Sequence, residues 1–142
     1  AEAIYKKRKF LTKISKERIF DELSKILMGN YAKKAFIEMK KLRVLEMIIP
    51  EFHYAYNFNQ NNPNHPDDLF NHIIKVIHLC DYDLITRFAA LFHDLGKINV
   101  KIIDAKGIFH FYGHEKESAL IAEEELRQLK ASNDFTNSVK KL

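Results

Sequence analysis

Apolar residues recur at helical spacing along most of this chain, and glycine, proline and polar clusters cut the pattern into short pieces. Residues 1–14 alternate Ile4, Phe10, Leu11 and Ile14 with Lys6, Lys7, Arg8, Lys9 and Lys13, which predicts a basic amphipathic helix. Ser15 then offers an N-cap, Glu17 suits the positive end of the helix dipole, and Ile19, Phe20, Leu23, Ile26 and Leu27 form one face of a second helix that Gly29-Asn30 stops. A third pattern runs through Tyr31, Ala32, Ala35, Phe36, Met39 and Leu42. A short apolar run, Val44 to Ile49, ends at Pro50.

Residues 51–66 break the periodicity with asparagines, prolines and aromatics, and so predict a long loop. Tyr54, Tyr56 and Phe58 there either stack on nucleotide bases or tuck onto the next helix. Asp67 or Asp68 caps a helix from Leu69 to about Cys80, and Asp83 caps another that is apolar nearly all round. Gly96 is expected to end it in a left-handed turn. A connector with Asp104, Lys106 and Gly107 leads to a last helix from Lys116 to about Ala131, with Ala119, Ala122, Leu126 and Leu129 as its stripe. The polar stretch 131–142 is expected to fray. The pattern therefore predicts an all-α fold.

Composition agrees with this picture: glycine and proline are scarce, and 46% hydrophobic residues suffice for a core in 142 residues. Cys80 is the single cysteine, so no disulfide forms within the chain, and no run approaches the length of a membrane span. Both point to a cytoplasmic protein with no membrane partner. Charge adds an asymmetry. Residues 1–50 hold 13 Lys+Arg against 6 Asp+Glu, a net +7, whereas residues 51–142 net −3. A basic first third faces either a polyanion such as RNA or simply water.

The candidate chemistry lies where the fifth helical pattern ends, at Leu91-Phe92-His93-Asp94-Leu95-Gly96-Lys97. A carboxylate at the end of a buried helix costs several kcal/mol unless donors or a cation meet it. Two readings stay open on this stretch alone: a metal ion meets His93 and Asp94 together, or Asp94 is a solvated helix end and His93 a satisfied core histidine. At roughly 100° per residue, His72 borders the apolar arc of its helix while His78 lies beyond the arc's far margin. Lys75 is on the polar side, within reach of an anion bound near His72. His114 precedes the last helix, where an imidazole and a positive dipole end favour an anionic ligand or merely cap the helix. His110, between Phe109 and Phe111, reads as packing. His72, His93, Asp94 and His114 are thus three imidazoles and a carboxylate on successive helices, a donor set for a divalent ion that activates water and bridges phosphate, with Asp94 and Lys97 as catalytic candidates. No H-E-x-x-H, G-x-S-x-G, P-loop or cysteine pair competes, and Asp81-Tyr82-Asp83 reads as a helix cap.

The series His72 … His93-Asp94, with LFHDLGK, resembles the HD superfamily of helical metal-dependent phosphohydrolases. ISKERIFDELSKIL, LRVLEMIIPE, HPDDLFNHIIKVI and FHFYGHEKESALIAEEEL, in that order around LFHDLGK, resemble the middle of the bacterial CCA-adding enzymes, tRNA nucleotidyltransferases of the poly(A) polymerase type. The resemblance implies a helical neck over residues 1–50, a loop over 51–66 and an HD-type bundle over 67–142. It implies His72, His93 and Asp94 as metal ligands, and the nitrogen and oxygen donor set itself favours Mg, Mn or Ni as the divalent ion. Glu17-Arg18-Ile19 and Glu22 match a motif bracing the nucleotide-selecting part, and Lys16 and Arg18 are candidate RNA contacts. Its partners would be tRNA or RNA 3′ ends and, in the full-length protein, nucleotides. It also places a nucleotidyltransferase head before Ala1 and a last HD ligand beyond Leu142, for which Asp134 is a poor substitute. This chain alone is accordingly expected to be weak or inactive, its HD part incomplete at the C-terminus. The competing expectation is a structural, tRNA-contacting helical segment without hydrolase activity.

Overall fold

The computed structural model describes residues 2–61 and 67–142; Ala1 of the first predicted helix and residues 62–66 of the predicted loop lie outside them. The described residues are all-α apart from one small hairpin. The first predicted helix divides into α1 (Glu2–Lys7) and a 3-10 turn (Arg8–Lys13), and the turn buries none of its residues. Four consecutive cations at positions 6–9, followed by a turn with no buried anchor, leave little to hold an α register there.

Helix α2 (Lys16–Leu27) starts where Ser15 accepts a hydrogen bond from the Arg18 amide, and buries Ile19, Leu23 and Leu27. Helix α3 (Ala32–Lys41) buries Ala32 and Phe36. Two single-turn helices follow, α4 (Leu45–Ile48) and α5 (Phe52–Ala55). The second lies inside the predicted loop. Four residues are too few to show a period, but Phe52 and Ala55 are fully buried, and Phe52 meets Phe70 edge to face at 6.2 Å.

Asp68 caps α6 (Leu69–Leu79) by accepting from the Asn71 amide at 2.8 Å, and Asp83 caps α7 (Leu84–Phe92) by accepting from the Thr86 amide at 3.0 Å. Then come α8 (Lys97–Val100), an antiparallel hairpin of β1 (Ile102–Ile103) and β2 (Phe109–His110), α9 (His114–Gln128) and α10 (Asn133–Lys140). Helix α9 begins two residues before the expected Lys116.

The expected frayed tail is corrected by α10. Ser132 caps it by accepting from the Phe135 amide, and Thr136 and Val139 are buried. Phe135 closes an aromatic triad with Phe20 of α2 and Phe88 of α7, ring centroids 5.4–5.5 Å apart. One continuous core joins α2 and α3 to the later helices. Two polar contacts reinforce the join: the Arg87 guanidinium donates to the Leu27 carbonyl at 2.9 Å, and the Tyr82 hydroxyl donates to the Met28 carbonyl. No described helix is long and apolar enough to cross a membrane.

Candidate metal centre

Helix α6 carries His72 half-buried on its edge and leaves His78 exposed, as the helical wheel requires. His93 follows the last residue of α7. Its Nδ1 donates to the Ala90 carbonyl at 2.6 Å, which turns Nε2 inward. There Nε2 lies 3.4 Å from His72 Nε2 and 3.2 Å from Asp94 Oδ2, and His72 Nε2 is 2.9 Å from the same oxygen. The three donor atoms all fall within 4.8 Å of one another. Two imidazole nitrogens facing each other beside a carboxylate need a proton or a cation between them. A divalent ion fits this N,N,O donor set.

On its other oxygen, Asp94 meets His114, whose Nε2 is 3.2 Å from Oδ1. His114 opens α9, and its Nδ1 donates to the Phe111 carbonyl at 3.0 Å, so its ring is aimed like that of His93. What places it is Gly96. The expected left-handed stop is not there: Gly96 is right-handed helical, at φ −62° and ψ −18°. Its missing side chain serves a close approach instead, since a Cβ would lie 2.4 Å from the His114 carbonyl oxygen and 2.5 Å from the Ser118 nitrogen. The Gly96 amide donates to Ser118 Oγ at 2.8 Å, and this contact docks α9 against the turn that holds Asp94.

Lys97, the other catalytic candidate, is only 7% exposed and holds its Nζ 3.2 Å from Asp94 Oδ2 and 2.7 Å from Gln60 Oε1. Gln60 is itself 1% exposed and was not visible from sequence, because nothing in its asparagine-rich surroundings marks one residue as buried. Burial alone would raise the Asp94 carboxyl; hydrogen bonds from His72 and His93, with the charges of His93 and Lys97, outweigh it and hold the group well below the usual carboxylate range. For His93, burial lowers and Asp94 raises, and the net direction is up. A hollow of 310 Å³ lies beside the cluster between α7, α9 and α10, reaching His93, Asp94, His114 and Lys140.

The other sequence candidates sit apart. Lys16 and Arg18 are exposed on the first turn of α2, and Lys75 pairs at 3.9 Å with Asp67 on the outer face of α6. Tyr56 donates to Glu46 at 3.0 Å and packs on Phe70, which favours tucking over base stacking for that residue; Tyr54 is exposed.

A helical bundle that brings a histidine from one helix onto a His-Asp pair ending the next has the architecture of the metal-dependent HD class. The chain belongs to the HD domain family, whose model matches residues 69–142. Residues 1–56 match a second model, described as "Probable RNA and SrmB- binding site of polymerase A". Among curated proteins, the chain is 33% identical over 125 residues to a multifunctional CCA protein of Chromobacterium violaceum, covering 83% of this chain and 29% of that one. It is 34% identical over 125 residues to the multifunctional CCA protein of Janthinobacterium, again 83% and 29%. To an A-adding tRNA nucleotidyltransferase of Deinococcus radiodurans it is 30% identical over 120 residues, covering 80% of this chain and 27% of the relative. The chain thus spans under a third of the length of these relatives.

Proposed function

We propose that this chain is the RNA-contacting and HD segment of a tRNA nucleotidyltransferase, and that its HD part hydrolyses phosphate esters at RNA ends: 2′,3′-cyclic phosphates, 2′-nucleotides or phosphomonoesters. The observation that carries the hydrolase reading is the convergence of His72, His93 and Asp94 on one point. These three would hold the ion, Mg, Mn or Ni. When bound it supplies Lewis acidity, making water a usable nucleophile near neutral pH and drawing charge from a phosphoryl oxygen. Around it, the Ala90 carbonyl keeps His93 Nε2 turned inward, and Lys97 with Gln60 keeps Asp94 ionised and in place. His114 Nε2, against the far oxygen of Asp94, can hold a proton and release it to a leaving oxygen. The nucleotidyltransferase reading is supported by the +7 charge of residues 1–50, by exposed Lys16 and Arg18, and by the likeness to an A-adding tRNA nucleotidyltransferase.

The test uses the full-length protein. Hydrolysis of adenosine 2′,3′-cyclic phosphate should require added Mg²⁺, Mn²⁺ or Ni²⁺, stop with a chelator, and disappear in His93→Ala. Activity that survives both treatments would overturn the hydrolase reading. Failure to extend a tRNA lacking its 3′ end, with CTP and ATP supplied, would overturn the transferase one.

A further inference from the structure

A second hollow, of 390 Å³, shares His114 and Glu115 with the 310 Å³ one, and the chemistry above does not use it. Lys97 and His114 belong both to its wall and to the surroundings of Asp94, so the hollow shares two side chains with the metal centre. Gln60, the aromatic run Phe109 to Tyr112, Gly113 and the carboxylate of Glu115 complete it.

The aromatic part is built to stay still. Asp104 Oδ1 accepts from the Lys106 and Ile108 amides at 2.8 and 3.0 Å, fixing the turn of the hairpin. Its other oxygen takes the His110 Nε2 proton at 2.9 Å, and the Tyr112 hydroxyl donates to His110 Nδ1 at 3.1 Å. Tyr112 lies parallel to the His110 ring, 9° between planes and 5.1 Å between centroids. One face of Tyr112 is thereby anchored through His110 to Asp104, yet the residue is 69% exposed. Gly113, at φ 76°, has nothing among the described residues within 4 Å of where a Cβ would stand. An isolated surface tyrosine has no need of a three-residue hydrogen-bonded chain. A ring held at fixed tilt over an open hollow is a stacking platform, and fixing it in advance removes the ordering cost of binding.

We infer that this hollow is the nucleoside subsite of the HD centre, with the base of the terminal ribonucleotide stacked on Tyr112 while its phosphate lies toward His72, His93 and Asp94. The inference rests on the hydrolase reading for the identity of the neighbouring phosphate. The volume is in the range of small-molecule sites, about 300–1,000 Å³. Stacking accepts any base, so the subsite selects for a nucleotide over a simple phosphate rather than for one sequence.

Binding separates the two ideas. With no metal, adenosine should shift the ring resonances of Tyr112 in NMR spectra of the 142-residue chain. Tyr112→Ala should weaken that binding about tenfold, the lower part of the range for one stacked base, and Tyr112→Phe, which keeps the ring but loses the bond to His110, should weaken it less than Tyr112→Ala does. Inorganic phosphate with Mg²⁺ should bind the wild type and Tyr112→Ala alike. If adenosine binds without touching Tyr112, or if Tyr112→Ala weakens adenosine and phosphate equally, the subsite is wrong. Phosphate that ignores Mg²⁺ counts against the hydrolase reading alone, because the adenosine measurement still decides the subsite. A thermal melt of Tyr112→Ala close to that of the wild type is expected for so exposed a residue.

Discussion

Gly96 packs against the backbone of His114 so closely that no side chain fits between them: a Cβ would stand 2.4 Å from the His114 carbonyl oxygen and 2.7 Å from the Glu117 Cβ. Both obstacles belong to a helix, which cannot step aside locally. Gly96→Ala should therefore cost more than the roughly 1–3 kcal/mol typical of overpacking, and it should pull His114 away from Asp94. Chemical denaturation measures the first effect. A variant as stable as wild type would mean that α9 is not seated on this turn.

Asp94 is the common partner of His72, His93, His114 and Lys97. Asp94→Ala should lose divalent-ion binding and also leave the buried Lys97 cation without its anion, at a cost on the order of 3–5 kcal/mol. His93→Ala should lose the ion with a smaller loss of stability, since it leaves the Asp94–Lys97 pair intact. Calorimetric titration with Mn²⁺, paired with urea unfolding of both variants, distinguishes them; equal destabilisation would count against Asp94 as the hub.

Away from the centre, burial pushes the Glu125 carboxyl up to about 8, assisted by a hydrogen bond and negative charge from Glu51 and by Glu124, with Lys16 pulling down. The unfolded group ionises at about 4.5, so between that pH and about 8 the folded chain binds the extra proton. Its stabilising contribution is complete below the unfolded value and is lost as pH rises through the folded one. Glu125→Gln should consequently raise the melting temperature more at about pH 8 than at about pH 5. A difference between variant and wild type that does not change with pH would refute it.

Phe135 fills the angle between Phe20 and Phe88. Phe135→Ala should destabilise by about 2–4 kcal/mol, toward the lower part of the Phe→Ala range because the ring is half-buried. Amide exchange in α10 should rise more than in α6. Uniform loosening of every helix would show that α10 has no separate dependence on this ring.

What sequence reasoning recovered was local. Ser15, Asp68 and Asp83 cap their helices through bonds to amides three residues on, a spacing that any chain displays openly. The inward tilt of His72 against the outward one of His78 follows from helix period alone. Gly96 misled because glycine suits two purposes, a left-handed turn and a close approach, and only the distant α9 decides between them. Helix α10 was hidden for a similar reason: its residues are mostly polar, and the apolar partners that hold Phe135 come from α2 and α7. Gln60 acquires its role from a lysine 37 positions away.

The bonds from Arg87 and Tyr82 to the carbonyls closing α2 have a mechanical side. Helix α2 is 12 residues long, a rod of about 18 Å at 1.5 Å per residue. One end carries exposed Lys16 and Arg18; the other is bonded to Arg87 of α7, the helix that His93 follows, and to Tyr82 just before it. Near the basic end Phe20 also stacks on Phe88 of α7, so α2 is seated on α7 at both ends. Whatever grips Lys16 and Arg18 also takes hold of the helix that presents His93.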